Sequence, residues 1–493
     1  MPLSCTPPPK LAGPTKVRSG KTGEEVQDHS GPAPEAVPIE FAGWLPIFGF
    51  SGNCGSHPQF THTSHPPAGY RFTRSLPSPK KHPPSLWSRR LGRLRHAWSR
   101  SMQKLGRLLR PFLGIVRGGP RVSLRARLRV LAAIVRLFVQ LRRNGARLGP
   151  TLRFLQSRHF QSQLLLAHYR GLVFLPSMPY TYNQNPWVVE IEDPTTLFYP
   201  LIENGATRAL CIADSPYFPV VKTLLESDQC KAIITHMRST AKLVPLLFQS
   251  DTIRQKVYYT PLGVKVPQRR QTHEESEHLD LLFTNSWCQI PENFFVRGGL
   301  DVLVAFAILH KRYPHLRLTL RTHLPKLDDR FHRLIQAGWV RIINRFMAPE
   351  EMDALLGSSH IFLLPAARVH IVSLLQAMSY GLAVVASDGW GIEEYLVHER
   401  NGLVVKGRYG KTSWEDEEAG MLRENYDSMF QPDPRIVRGL VEAVSRLVED
   451  RELRQRLGKT ARRDVQTNYN LDNWNQGLKK VLDQALARSP QRQ

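Results

Sequence analysis

The stretch that most limits what this chain can become is "FLLPAARVHIVSLLQAMSYGLAVVASDGWGIEEYLVHERNGLVV", Phe362 to Val405. It alternates short apolar runs with segments whose apolar residues recur every three or four positions. The first kind reads as buried strands and the second as helices. Strand, helix, strand, helix in succession calls for a parallel sheet with helices on its faces, because parallel neighbours are reached only through a crossover.

The alternation starts well before Phe362. From Leu279 it runs "LDLLFTNS", the helix "GGLDVLVAFAILHKRYP", "LRLTLRT", a helix ending near Ala337, "VRIINRF", the helix "PEEMDALLGSS", "HIFLLP", the helix "VSLLQAMSYG", "AVVAS", the helix "IEEYLVHE" and "GLVV". That is a doubly wound unit of about six strands. A first set, "GLVFLP", "WVVEIED", "ALCIAD", "KAIITHM" and "KVYYTPLGV", lies between about 160 and 270 and is closed by the polar linker "QRRQTHEESEH". Two such units in tandem leave a cleft, and ligands of open parallel sheets bind beyond the carboxyl ends of the strands.

Composition matters most upstream of these units. The chain has 493 residues and a formal net charge of +25, yet no Asp or Glu occurs between Glu40 and Glu190, against roughly two dozen Lys and Arg. Residues 1–83 are rich in Pro, Gly and Ser and read as a disordered extension. Residues 84–158 read as a basic amphipathic helical region, with runs such as "RARLRVLAAIVRLFVQLRR". Helices with an arginine face and a Leu/Trp/Phe face suit an anionic membrane surface, and an apolar stripe packed on the following domain fits the same pattern. Aromatics for base stacking are sparse, which disfavours nucleic acid as a partner.

Five scattered cysteines show no metal-ligand spacing and suit a reducing compartment. The start lacks a secretory pattern, and no apolar run approaches the roughly 20 residues of a membrane span. The expectation is a protein either free in the cytoplasm or peripheral on the membrane. The domains expected after the two N-terminal segments are 159–270, an N-terminal Rossmann-like unit; 271–470, a second; and 471–493, a C-terminal helix whose Trp474 anchors packing.

"ARVHIVSLLQAM" delivers a loop onto a helix amino end, where free N–H groups and the helix dipole favour a diphosphate. Ser373 either caps that helix or touches phosphate. Gly389 and Gly391 suit a second tight turn after a strand. No Gly-x-Gly-x-x-Gly follows a strand, which argues against a nicotinamide-dependent dehydrogenase.

In this order the segments resemble the GT-B glycosyltransferases, and within them the retaining family 4 (group 1), over roughly residues 160 to 485. The likeness rests on "YTPLGVKVP", "RGGLDVLVAFAIL", "FMAPEEMDALLGSSHIFLLPA" and "LLQAMSYGLAVVASDGWGIEEYLVHERNGLVV". It implies an α/β fold of two Rossmann-like domains with a cleft between them. The donor would be a nucleotide-diphosphate sugar, with no metal or other cofactor required, and the acceptor a glycan or a lipid-linked or other envelope compound. Arg297 and Gly298 stand at the family's phosphate-neutralising Lys-Gly, and Asn285 and Ser286 would line the same cleft. Leu374, Gly391 and Glu394 complete the donor set.

Departures are equally specific. The family's paired glutamates, eight positions apart, correspond to Arg368 and Gln376. Gln376 can still accept from a ribose hydroxyl through its amide oxygen, whereas Arg368 has no acceptor and would bind an anion. Where the family has His-Asp this chain has Glu192-Asp193, carboxyls able to stabilise an oxocarbenium charge or take a proton. His370 adds a titratable group near the sugar. The catalytic candidates are therefore Glu192, Asp193 and His370. The activity implied is transfer of a sugar from a nucleotide sugar with retention. The alternative is a degenerate GT-B protein that binds nucleotide or glycan as a scaffold or regulatory partner. Gly118-Gly119 in "VRGGPR" is a weak candidate for the acceptor loop, and "GRYGKTSWEDEEAGMLRENYDSMFQPDP" reads as a surface insertion, a lid or an acceptor contact.

Overall fold

The computed structural model describes residues 35–42, 58–73, 123–156, 166, 169–198, 209–268, 277–285, 291–345, 347–408, 423–425 and 427–488. Among the described residues no helix is long and apolar enough to cross a membrane. Gly118-Gly119, Ser286 and most of the "GRYGKTSW…" insertion lie outside them.

The second sheet follows the sequence pattern closely. Strands β8 (Leu279–Thr284), β9 (Leu316–Arg321), β10 (Val340–Ile343), β11 (Ile361–Leu364), β12 (Ala383–Ser387) and β13 (Leu403–Val405) are all parallel, in the order β10-β9-β8-β11-β12-β13. Alternating side chains serve two layers. Leu281, Phe283, Leu363 and Val385 pack with α5 (Gly299–Arg312) and α9 (Pro434–Glu449). Leu282, Phe362, Leu364, Val384 and Ala386 belong to the other layer, with α8 (Ile371–Ser379) and α10 (Arg451–Asn468). The segment "IEEYLVHE" is not a helix; only Ile392–Glu394 makes a single 3-10 turn. Gly391 before it and the return of Asn401 onto Val397 and Tyr395 leave too few residues for regular turns.

The first sheet corrects the expected layout. Strands β1 (Val37–Phe41) and β2 (Tyr70–Thr73) come from the stretch read as disordered, and pair with β3 (Val173–Pro176), β4 (Trp187–Ile191), β6 (Cys230–Thr235) and β7 (Val257–Tyr259) in the parallel order β2-β1-β3-β4-β6-β7. Five- and four-residue strands set among Pro and Gly show too little periodicity to stand out, and β1, the partner of β2, is tied to the rest of the sheet through β3, more than a hundred residues on. The domain therefore begins well before 159. Helices α1 (Leu124–Arg143) and α2 (Leu148–Leu155) also belong to it: Ala126, Val130, Ile134, Leu137 and Leu141 of α1 are buried, and Asn144 donates to Thr223 Oγ1 of α3 (Phe218–Glu226) at 3.1 Å. β5 (Ala209–Cys211), expected in this sheet, pairs antiparallel instead with β14 (Arg423–Asn425) of the insertion in the second domain.

The chain's last helix, α11 (Leu471–Ala487), returns to the first domain. Trp474 is 1% exposed, Asn475 donates to the His65 carbonyl at 2.8 Å, and Tyr70 donates to Asp483 Oδ1 at 2.5 Å. Two Rossmann-like parallel sheets joined in this way, with a closing crossover helix, make up the GT-B architecture.

Candidate active site

Three loops at the carboxyl ends of β8, β11 and β12 are stitched into one surface. The Ala367 N–H donates to the Val296 carbonyl at 3.3 Å, the Trp390 N–H to the Ala367 carbonyl at 3.0 Å, and the Val369 N–H to the Trp390 carbonyl at 2.8 Å. Ser387 Oγ donates to the Ala366 carbonyl at 2.6 Å. Gly298, at φ +77°, lets the turn before α5 lie against Pro365; a Cβ there would sit 2.2 Å from the Pro365 carbonyl oxygen. This approach sets Arg297 beside the loop that carries Arg368 and His370. Asn285, 1% exposed at the end of β8, donates to Thr322 Oγ1 at 3.3 Å.

The amino end of α8 is the centre of this surface. His370 occupies the N-cap position and Ser373 is the helix's third residue, so Ser373 is not the cap. Leu374 is fully buried and packs the helix, while Gln376 is half-buried. Burial first, and then the positive charges of Arg297 and Arg368, push the His370 pKa well below its ordinary value of 6.5, so the ring is neutral. Its Nε2 has no hydrogen-bond partner.

The first domain meets this surface with acids. Beyond β4, Asp193 Oδ2 accepts from Arg368 Nη1 at 2.7 Å, both side chains being largely buried. Asp193 Oδ1 is already held by the Thr195 N–H and hydroxyl and by the Thr196 N–H. Glu192 Oε1 accepts from the Ile371 N–H, at the start of α8, at 3.3 Å. Burial, with Asp193 beside it, raises the Glu192 pKa against the opposing pull of Arg368.

Glu394, expected at the donor, makes the reverse contact. Its carboxylate accepts from the Arg238 N–H at 2.6 Å, the Ser239 N–H at 3.0 Å and Ser239 Oγ at 2.5 Å, so it caps helix α4 (Arg238–Phe248) of the first domain. Each domain thus places a glutamate on a helix amino end of the other, where the dipole favours negative charge. Tyr395 Oη donates to the His236 carbonyl at 2.7 Å, and Gly391, at φ +80°, faces Met237 so closely that a Cβ would lie 1.9 Å from Met237 Cε.

Sequence reasoning missed a buried cluster behind β4. Glu190 Oε1 contacts His236 Nε2 at 2.7 Å, both side chains fully buried. His236 Nδ1 meets the Thr260 carbonyl at 3.2 Å and must carry a hydrogen, since a carbonyl only accepts. His62 is also fully buried beside Phe174 and Trp474. A glutamate inside the apolar run "WVVEI" was a legible signal for Glu190. His62 gave none.

Residues 295–417 match the model of a family described as Glycosyl transferases group 1. Among solved structures the chain is similar to a glycosyltransferase from Rickettsia africae, at 10% identity over 93% of this chain and all of that one, TM-score 0.49. Others are sucrose-phosphate synthase from Thermosynechococcus elongatus, at 17% identity over 68% of this chain and 80% of that one, TM-score 0.48, and HepE from Anabaena in complex with UDP and glucose, at 14% identity over 64% and 78%, TM-score 0.44. No curated protein matches the chain.

Proposed function

We propose that this protein is a glycosyltransferase that takes a sugar from a nucleotide-diphosphate donor and passes it, with retention, to a glycan or lipid-linked acceptor. The observation that carries the reading is the meeting of Arg297, Arg368 and the α8 amino end beyond the carboxyl ends of β8, β11 and β12, inside the segment that matches the group 1 family. Fixed positive groups aimed at a departing diphosphate stabilise charge where it develops. Guanidinium and helix N–H groups supply that charge without a metal in this reading.

Asn285, Gly298, Ser373, Leu374, Gln376 and Gly391 would shape the donor seat, with the Gln376 amide oxygen on the ribose. His370, held neutral by burial and by Arg297 and Arg368, with Nε2 unpartnered, would accept a hydrogen bond from a hydroxyl of the donor sugar or acceptor rather than take its proton. Glu192 is the carboxyl nearest the α8 amino end and would move aside for the donor phosphates or face the developing oxocarbenium ion. Asp193, engaged through both oxygens, acts by holding Arg368 rather than by touching the sugar.

The test is calorimetric titration of the full chain with uridine, guanosine and adenosine diphosphate sugars, followed by product analysis with candidate acceptors. One donor should bind tightly, and Arg297→Ala should weaken it at least about tenfold, about 1.4 kcal/mol. Folded protein that binds no nucleotide sugar sinks the reading. The Arg368–Asp193 ion pair, which ties up two groups that would face the sugar, favours a second reading: a scaffold that binds nucleotide or glycan without turnover. Tight donor binding with neither transfer nor hydrolysis selects it.

A further inference from the structure

Helix α1 carries two apolar faces. The one described above is buried in the first domain. The opposite one, Leu124, Leu128, Leu131, Val135 and Val139, is exposed to 71, 57, 40, 54 and 39%. Steps of four, three, four and four residues put all five on a single stripe along the helix. With Leu148 of α2 they make six of the twelve large apolar side chains exposed among the described residues, all within one short stretch, which is not the scatter ordinary for a surface.

Arg125, Arg129, Arg136 and Arg143 form a second exposed row, spaced four and seven residues apart and lying about a quarter turn from the stripe. Nothing in the surrounding sequence offsets it, since no acid falls between Glu40 and Glu190. A stripe of mid-sized aliphatics without an aromatic anchor is unlike the core of a protein interface, where aromatics are enriched. An arginine row beside an aliphatic stripe fits the boundary of a bilayer, with the aliphatics among the acyl chains and the guanidinium groups level with the phosphates.

We propose that the exposed face of α1 is a docking surface for an anionic membrane leaflet, the helix lying flat with its buried face still packed on the first domain. The proposal stands apart from the sugar chemistry and holds for an enzyme or a scaffold alike.

The experiment is vesicle flotation of the full chain on phosphatidylcholine alone and on phosphatidylcholine mixed with phosphatidylglycerol. Two double variants accompany it, Leu128→Ser with Val135→Ser and Arg129→Gln with Arg136→Gln, all at exposed positions and checked for unchanged thermal unfolding. The wild type should float with the anionic vesicles and far less with the neutral ones. Each double variant should lose at least about tenfold in partition, with the loss in the arginine variant vanishing at high salt. Three outcomes overturn the proposal. The first is that both variants float as the wild type does, which places any binding elsewhere in the basic region. The second is a wild type that does not float at all. The third is a dimer on size-exclusion that the Leu128→Ser, Val135→Ser variant breaks, which makes the face a contact between two copies.

Discussion

Glu192 and Glu394 make one kind of contact in opposite directions, and both sit where an anionic ligand would be stabilised. If Glu192 holds the α8 amino end against a donor phosphate, removing its charge while keeping its shape should help the donor. Glu192→Gln is expected to tighten nucleotide diphosphate binding by roughly three- to tenfold, the worth of one carboxylate at a helix end. Calorimetry with the nucleotide diphosphate alone reads this without any acceptor. His62 gives a second expectation. Burial, reinforced by the nearby His236 and opposed by Glu190, holds its pKa at about 4 against an ordinary 6.5. Between those values the unfolded chain binds a proton that the folded chain refuses, so stability is whole above pH 6.5 and falls as pH drops towards 4. The gap corresponds to about 3 kcal/mol. His62→Leu should flatten the decline in urea midpoints measured between pH 7 and 4.5, although His370, shifted in the same direction, leaves part of the slope in place. The sequence showed Arg368 and Glu192-Asp193 as two separate departures. It could not show that Arg368 and Asp193 answer each other, because 175 positions divide them and only the fold sets them 2.7 Å apart.

Among elements, the legible ones were those whose signal is local. β8, β11, β12 and α8 could be read because continuous apolar runs and a 3.6-residue period survive within short windows. β1 and β2 could not, since four or five residues acquire meaning only once β1 is set between β2 and β3, and β5 went astray because its partner lies in an insertion of the other domain. The ends of that insertion are tied down: Arg408, fully buried, pairs with Asp301 of α5, and the Asp433 N–H donates to Asp301 Oδ1 at 2.7 Å. The turn into α5 is the element most sensitive to a single methyl group. Gly298→Ala would strain a left-handed backbone and press on the Pro365 carbonyl, which is backbone and cannot swing away. A loss of roughly 2–4 kcal/mol in urea unfolding is expected, together with weaker donor binding, since Arg297 and the α8 loop share that contact.

For the whole molecule, the layout bears on how much of the chain is needed. A fragment beginning at 159, where the alternating pattern starts, would lack β1, β2, α1 and α2. It would leave β3, an entirely buried apolar strand, as an open edge. Such a fragment is expected to aggregate on size-exclusion at concentrations where a chain beginning at residue 35 elutes as a discrete species. The two domains are also bound by a shared apolar core, in which Met237, Val369, Ile392, Tyr395 and Trp474 are continuous across the cleft. Tyr70, in the first sheet's outer strand, meets Asp483 in the final helix, 413 residues further along. Synthesis at about 5–20 residues per second puts roughly 20 to 80 seconds between the appearance of one partner and the other. The domain that starts first on the ribosome is thus the last to be completed. Its six strands are all made by Tyr259, but the surface that α11 covers stays open to solvent until the last helix emerges.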